Sequence, residues 1–574
     1  IRSVFVWWKG NLNLGTDKGP DKAATTLQRL KGLIQRLPKK LLILILLLIA
    51  YYFCLPKQLF RTPHATVVES RSGKLLGALI AEDGQWRFPV VDSVPYKFET
   101  CILNFEDAHF YWHPGFNPIS IGKAFLANIL AGKTVRGGST LTQQVIRLSR
   151  NHKKRTYWEK VRELVLATRL ELGYSKKYIL KLYASHAPFG GNVVGLEAAA
   201  WRYFGMQPNQ LSWAEAATLA VLPNAPSLIY PGKNHSKLLY KRNRLLHKLL
   251  DNNYIDSTTY RLSLLEELPK KPFQLPDTAP HLVQYLAKKY KGKRISTHVD
   301  ENLQGSINNI INKHYKSLKQ NQVYNAAVLL MDVKTREVLS YVGNTPTDNE
   351  HEKDVDMVQA NRSTGSVLKP LLYTAMMNAG ELLPGMLVPD VPTQIAGYTP
   401  ENFNESYSGA VEADKALAKS LNIPAVRLLR SYGLEKFRDQ LDFFNLRGLN
   451  KSADHYGLTL ILGGAESNLW DLCKTYASLA STVNHFNATS SEYYTKEFVE
   501  PIPTSETKVD FGAKSTEVTI FDAASIYLTF EAMKKVNRPE GSESWEFFDS
   551  SKQIAWKTGT SFGNKDAWAI GITK

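Results

Sequence analysis

The chain has 574 residues, length for two to four domains, and its 44% apolar content is enough to bury large cores. A formal charge of +18 and a pI near 9.4 suit a nucleic acid, an anionic membrane surface or an anionic substrate. The sequence has no zinc-ligand spacing, aromatic RNA-binding signature or basic zipper, which argues against nucleic acid; Cys54, Cys101 and Cys473 lie too far apart for a disulfide framework and leave the compartment open.

Residues 1–40 are basic, with nine Lys or Arg against Asp17 and Asp21, and Trp7 and Trp8 suit either a membrane interface or an ordinary aromatic cluster. The Ile at position 1 points to a fragment or a processed form. Leu41 to Leu55 is fifteen residues without a charge. As a helix it rises about 22 Å, short of a hydrocarbon core of roughly 30 Å. Lys39, Lys40 and Lys57 can snorkel and lengthen it, and Tyr51, Tyr52 and Phe53 read as an interfacial belt. It lacks the polar face of a soluble helix, and no small-residue cleavage site follows, so 41–56 is predicted to be a transmembrane helix. Six Lys or Arg over 22–40 against four over 57–75 put the N-terminus, and with it a tail over 1–40, in the cytoplasm.

Thr66 to Gln85 alternates about a Ser72-Gly73 turn and predicts a β-hairpin; from Pro89 to Lys270 the pattern is helical. In Phe105-Glu106-Asp107-Ala108-His109-Phe110-Tyr111-Trp112-His113-Pro114-Gly115-Phe116, two adjacent carboxylates sit among five aromatic rings. A carboxylate walled by rings loses hydration, so its pKa rises and it can move protons near neutral pH; an acidic cap before a semi-buried aromatic turn explains the same residues equally well. Ile119 to Leu130 is an amphipathic helix, expected to pack in the core rather than lie on lipid. Gly137-Gly138-Ser139-Thr140-Leu141-Thr142-Gln143-Gln144 offers N–H groups, hydroxyls and amides to an anionic, oxygen-rich ligand, or is only a turn with a helix cap. On a helix from Tyr157 to Leu172, Trp158, Val161, Leu164, Val165 and Leu172 share the apolar face. Glu159, Lys160, Arg162 and Glu163 share the polar one, where solvation is the plain reading.

The two motif stretches resemble the first two motifs of glycosyltransferase family 51, the peptidoglycan glycosyltransferases, which read Glu-Asp-x-x-Phe-x-x-His-x-Gly and Gly-x-Ser-Thr-x-Thr-Gln-Gln. Every fixed position is met, at Glu106, Asp107, Phe110, His113 and Gly115, then at Gly137, Ser139, Thr140, Thr142, Gln143 and Gln144. Lys160 and Glu163 match the third motif, Arg-Lys-x-x-Glu, but Glu159 stands in place of Arg. Like charges four apart predict a Glu163 that is harder to ionise. Three arrangements stay open: compensation by Lys160 and Arg162, a divalent metal between the two carboxylates, or Glu159 turned to solvent. Ile179 to Tyr183, Phe189-Gly190-Gly191 and Tyr203-Phe204-Gly205 resemble the fourth and fifth motifs, with Ala184-Ser185 replacing the family's Leu-Asn; Ala187 to Asn192 is most like the penicillin-binding protein 1C subgroup. A helix from Leu211 to Leu222 fits the same domain, and the resemblance covers 65–270.

Residues 271–322 read as a linker, broken by Pro272, Pro276 and Pro280 before a helix from Gln304 to Leu318. A second domain over 323–574 begins with two strands between Asn325 and Gly343. Gly365-Ser366-Val367-Leu368-Lys369-Pro370 opens a helical run to about Asn378, with Ser366 and Lys369 on one face. A desolvated Lys can lose its proton and take one from the Ser hydroxyl. Pro370 cannot donate to the Ser366 carbonyl, so a helix rule is broken where a functional site tolerates strain. Ser420-Leu421-Asn422 lies 54 residues after Ser366, and Lys557-Thr558-Gly559-Thr560 lies 135 after Asn422, on a strand predicted from Gln553 to Ser561. Each triplet alone is an ordinary loop or strand; in this order the three resemble the acyl-serine transferases, the penicillin-binding proteins and β-lactamases. The chain stops 14 residues past Thr560, with one more strand predicted from Asp566 to Thr573, so the domain is expected to be C-terminally incomplete.

The whole is similar to a class A, bifunctional penicillin-binding protein. That resemblance implies a multidomain fold: an N-terminal transmembrane helix, a mainly α, lysozyme-like glycosyltransferase domain, and an α/β (α+β) serine acyltransferase domain with an antiparallel sheet. It implies that the first domain polymerises lipid II into glycan strands, with Glu106 as general base and Glu163 joining Gln144, Arg147 and Lys160 at the pyrophosphate. Asp107, His113, Ser139 and Thr140 complete the implied substrate site. In the second domain Ser366 forms an acyl-enzyme with a stem peptide, Lys369, Ser420 and Lys557 shuttle protons, and Asn422 orients the peptide. Thr558 and Gly559 receive its backbone, and the N–H groups of Ser366 and Thr560 form the oxyanion hole. No cofactor is required; Mg or Mn in the glycosyltransferase site is admitted, and no metal ligand is assigned. The implied partners are lipid II and the growing glycan strand, stem peptides, β-lactams, the membrane and other wall-synthesis proteins. The implied location is the cytoplasmic (inner) membrane, single-pass, with the catalytic domains periplasmic or extracellular. A second reading keeps the glycosyltransferase and makes the other domain a weak or inactive penicillin-binding sensor or scaffold.

Overall fold

The computed structural model describes residues 38–573 apart from 91, 133–136, 151–155, 396 and 536–552. All but the last three positions of the basic tail, Trp7 and Trp8 included, lie outside the described residues. The expected membrane segment is helix α1, Lys39–Phe53, shorter than the 41–56 span and with no buried residue. No described helix is long and apolar enough to cross a membrane. The end of α1 is tied to the first domain: Tyr51 Oη donates to Thr168 Oγ1 (3.0 Å), and Arg169 Nε donates to the Tyr52 carbonyl (3.0 Å).

The hairpin forms as the alternation predicts, β1 Thr66–Glu69 against β2 Leu75–Leu79. After it come α2 Tyr96–Glu106, α3 Pro118–Ala131, α4 Leu141–Ser149, α5 Tyr157–Gly173, α6 Lys176–His186, α7 Leu196–Phe204, α8 Trp213–Val221 and α9 His235–Asp251. At the centre is α8, started by a Ser212/Glu215 capping box and buried on all sides. Its Ala214, Ala216, Ala217 and Ala220 leave room for α2 to pack closely across it. This fixes the end of α2, where Glu106 sits.

Two helices turn the other way from the sequence expectation. Helix α3, expected in the core, exposes Ile119, Leu126, Ile129 and Leu130, the last to 80%. Helix α5 buries Glu163, Ala167 and Leu170 and exposes Trp158 (71%), Val161, Val165 and Leu172 (75%). Amphipathic periodicity says which residues share a face; it does not say which face meets protein.

The segment 271–322, expected as a linker, is a packed junction. Pro280 opens helix α10, Pro280–Lys289, at a position that needs no N–H. Strand β3, Arg294–Ser296, then pairs in parallel with β1, and α11 runs Glu301–Leu318. Val68 and Leu76 of the hairpin, Leu282, Val283 and Ile295 of the junction, and Tyr341 and Trp470 of the second domain share one core. Arg294 reaches both Glu69 and Glu197, binding the junction to the first domain.

In the second domain β4 Val328–Met331 pairs antiparallel with β5 Val338–Val342. Helix α12, Lys369–Asn378, is buried from Lys369 to Met377. Strand β6 Leu387–Asp390 pairs with β7 Gly409–Glu412, followed by α13 Asn422–Tyr432, α14 Leu469–Ala488 and α15 Ala523–Lys534. Last come β8 Ala555–Thr560 and β9 Ala567–Ile572, antiparallel with Lys557 opposite Ile570. Helix α15 packs on both α12 and β8. Among the described residues the strands of this domain form separate antiparallel pairs rather than one sheet. The two-residue period of β8 turns Ala555, Lys557 and Gly559 inward, so a lysine occupies a core position.

Candidate active sites

The end of α2 opens onto a cleft of about 1100 Å³. Gln144 Nε2 donates to Glu106 Oε2 (2.7 Å) and Asn224 Nδ2 approaches Oε1 (3.5 Å). Burial raises the Glu106 carboxyl above its usual range; the two amides and the charges of Arg147 and Lys241 pull only part of the way back. The negative pole of α2 works in the same direction as burial.

Asp107, next in sequence, is occupied differently. It accepts from His113 Nε2 (3.0 Å) and from the N–H of Leu141 (3.0 Å), tying the loop after α2 to the first turn of α4. The N–H of Gly115 donates to His113 Nδ1 (3.2 Å), so that nitrogen is the acceptor and the neutral ring carries its proton on Nε2. Thr140 caps α4 through Gln143 N–H and donates to the Gly115 carbonyl (2.7 Å). Gly115 has φ 96°, and a Cβ there would lie 2.8 Å from the Ala167 backbone.

Glu106, Asp107, His113, Ser139, Thr140, Gln144 and Arg147 all line the cleft, and Lys160 Nζ joins them by donating to Ser139 Oγ (2.9 Å). Glu163 does not line it: it is buried under α5, where the polar-face reading had it solvated. Glu159 does not face solvent; it is ion-paired with Arg150 Nε, its side chain 13% exposed. Among the described residues no group of three or more His, Cys, Asp or Glu is arranged to hold a metal ion. A guanidinium thus meets this turn of α5 from the end of α4, where the family motif has one on α5 itself. Glu159→Arg is therefore expected to destabilise the domain by about 1–3 kcal/mol, because it sets two guanidinium groups together. The added Arg150→Glu change should restore most of the loss, read as thermal unfolding; a stable single variant would show that the pair contributes nothing.

In the second domain Ser366 sits in a turn, and α12 starts three residues later at Lys369. Pro370 is thus in the first helical turn, where no N–H is required, and the helix violation expected from the sequence does not arise. The Val367 carbonyl accepts from Tyr476 Oη (2.6 Å) and the Ser363 carbonyl from Trp568 Nε1 (2.7 Å), pinning the nucleophile turn on both sides. Gly559 is needed where β8 presses on this turn: a Cβ there would lie 2.8 Å from Val367 and 3.1 Å from the Ser366 nitrogen.

The two lysines are held in complementary ways. Lys369 Nζ donates to the Ser420 carbonyl (2.7 Å), the Leu421 carbonyl (3.1 Å) and Asn422 Oδ1 (2.8 Å). Three acceptors match the three hydrogens of an ammonium, whereas burial and then the Lys557 charge push its pKa far down. Ser366 Oγ is not among the three partners. Lys557 Nζ has two acceptors, Ser420 Oγ (2.8 Å) and the Thr558 carbonyl, matching a neutral amine, and burial pushes it down to about 7. Ser420 links them from a left-handed conformation, φ 55°, unusual for a serine. Thr558 and Thr560 lie on the outer face of β8.

These pKa directions predict a pH profile. Below pH 7 Lys557 is charged and cannot accept the Ser420 proton; above it the amine is free to do so. Acylation by penicillin should therefore rise with pH through about 7 and level off. Lys557→Arg should flatten the curve at its low end, and a flat parental profile would remove Lys557 from the proton path.

Comparison with known proteins finds a family for each domain. Residues 72–250 match the Transglycosylase family and residues 326–574 match the penicillin binding protein transpeptidase domain. Penicillin-binding protein 1C of Escherichia coli is 33% identical over 90% of this chain and 64% of its own length. Penicillin-binding protein 1B of Haemophilus influenzae is 28% identical over 88% of this chain and 67% of its own length. The chain belongs to the class A penicillin-binding proteins. It spans slightly less than two thirds of the 1C relative. A solved penicillin-binding protein 1A from Haemophilus influenzae overlays with a TM-score of 0.49 at 16% identity, covering 89% of this chain and 86% of that one, too loosely for residue-level comparison.

Within this penicillin-binding protein, sequence reasoning passed over Asn224, Lys241, Arg244 and Lys248, all of which line the first cleft. Lys241 Nζ donates to Asn224 Oδ1 (2.8 Å), which holds the amide beside Glu106. Lys241, Arg244 and Lys248 recur at helical spacing on α9, the signal that could have marked a basic face; nothing local links that face to Glu106.

Proposed function

We propose that the first domain polymerises a lipid-linked disaccharide-peptide, lipid II, and that the second cross-links stem peptides through an acyl-serine. The observation that carries the first half is a buried carboxylate with a raised pKa facing a cleft whose other wall is cationic. Glu106 takes the proton from the acceptor sugar 4-hydroxyl as that oxygen attacks the anomeric carbon of the growing chain. The C–O bond to the pyrophosphate breaks, and Arg147, Lys160 and Lys241 balance the charge of the leaving group. Glu163, buried three residues after Lys160 on α5, lies outside the cleft lining; a divalent cation at the pyrophosphate is compatible with this reading.

In the second domain Ser366 Oγ attacks the peptide carbonyl, the C–N bond to the terminal residue breaks, and that residue's amine leaves with the proton relayed through Ser420 and the two lysines; the amine of the neighbouring stem peptide then attacks the acyl-serine, forms the new amide and returns a proton to Ser366 Oγ. The alternative, a domain that binds acyl groups poorly and serves as a sensor, draws on the Lys369 bonds that bypass Ser366. The exposed apolar faces of α1, α3 and α5 support attachment to a membrane, and the excess of Lys and Arg before α1 supports placing the catalytic domains outside the cytoplasm. Polymerisation of purified lipid II with and without penicillin tests both halves: glycan strands should form in either case and cross-links only without the drug. Release of the chain from membranes by carbonate washing would count against integral anchoring.

A further inference from the structure

Helix α13 begins at Asn422, yet the residue before it, Leu421, has no side chain able to cap a helix. The cap comes from 20 residues upstream: Asn402 Oδ1 accepts from the N–H of Asn422 (2.9 Å) and of Ile423 (3.2 Å). The Leu421 N–H is taken by the Ala416 carbonyl (3.0 Å) and Pro424 has none, so the helix start is fully satisfied. Asn402 is 2% exposed, and its own orientation is fixed, with Nδ2 donating to Asp390 Oδ1 (2.7 Å) and to the Ser406 carbonyl (2.9 Å). Asp390, wholly buried at the end of β6, accepts from the Ser408 N–H with its other oxygen (2.9 Å). Beside the cap, the Glu401 carbonyl accepts from Asn422 Nδ2 (2.8 Å), which leaves Asn422 Oδ1 to Lys369 Nζ (2.8 Å). Two consecutive residues thus grip the backbone and the side chain of Asn422.

Resting on the acyl-serine reading of this domain, we propose that Asp390 and Asn402 are positioning residues of the acyl-transfer site. The buried carboxylate sets the Asn402 amide, and Asn402 anchors the start of α13. The anchored start holds the Asn422 amide with its oxygen toward Lys369. Neither residue lies in the three motif stretches. The direction of the amide matters chemically: reversed, Nδ2 would face Lys369 Nζ, which donates to this oxygen, donor against donor.

The test is penicillin acylation kinetics on the full chain, resolved into initial affinity and acylation rate constant, with thermal unfolding alongside. Asn402→Ala should lower the rate constant about 10- to 100-fold and change affinity by less than about threefold. Asp390→Asn should fall between parent and Asn402→Ala, since Asn402 Nδ2 and Ser408 N–H donate to different oxygens of Asp390 and an amide puts an oxygen at only one of those places. Asn402→Asp alone sets two buried carboxylates together. Adding Asp390→Asn reverses the polarity of the pair while keeping an oxygen for the α13 cap, and should recover about tenfold in rate over Asn402→Asp. An Asn402→Ala rate constant within about twofold of the parent would overturn the proposal, as would an affinity loss matching the rate loss. If Asn402→Ala fails to fold, the double variant decides: no gain over Asn402→Asp overturns the proposal. A parent chain that takes no label overturns the reading of the domain, and this inference with it.

Discussion

Replacing Glu106 by Gln is expected to reduce glycan polymerisation by about 10²- to 10⁴-fold, the range of a lost general base, while penicillin labelling of Ser366 continues. The amide keeps the shape of the side chain and an oxygen for Gln144 Nε2, so α2 and the cleft should hold their form. What is lost is the ability to take a proton. Because burial raises the Glu106 pKa, the base form disappears at a higher pH than an ordinary carboxylate would require. Polymerisation in the parent should therefore decline as pH falls through that raised value and stay level above it. Product length and rate on lipid II, measured across pH, check both statements. Parental activity in the Gln variant would assign the base elsewhere in the cleft.

Ser366→Ala is expected to abolish covalent penicillin labelling and cross-linking, with polymerisation continuing. The change removes one hydroxyl from a turn held by Tyr476 and Trp568, and Lys369 keeps its three oxygen partners, so the domain should fold. Loss of a nucleophile of this kind lowers turnover by about 10⁶-fold where it has been dissected, well below detection by gel labelling. Fluorescent penicillin on the variant, followed by digestion of the glycan product, reads both activities. A label that persisted would have to sit on another serine, and the chemistry assigned to this site would then be wrong.

Much of this was legible in the residues. The ordered motifs around Glu106 and Gln144, and around Ser366, Asn422 and Lys557, carry their chemistry in side-chain type and spacing, which folding does not alter. The α3, α5 and α8 helices, the hairpin at Thr66 and the strand pair at Lys557 followed from local periodicity and turn residues; α2 was not singled out, and Glu106 closes that helix instead of capping the start of the next one.

Tertiary structure decided what depends on a neighbour distant in sequence. Helix α5 has an unmistakable apolar stripe, yet the face that packs is the one carrying Glu163, Ala167 and Leu170, because the core of the domain lies on that side. Glu159 has a fixed role only because Arg150 closes on it, and the proton on His113 is placed by Gly115 and Asp107. The segment expected to be a linker is packed because β3 finds β1 more than 200 residues away in sequence. Asn402 looks like an ordinary loop residue until the fold sets it under a helix start that has no cap of its own. Local sequence determines which faces and groups are available; long-range packing determines which of them lose water, and burial is what gives Glu106 and Lys557 their altered acidity.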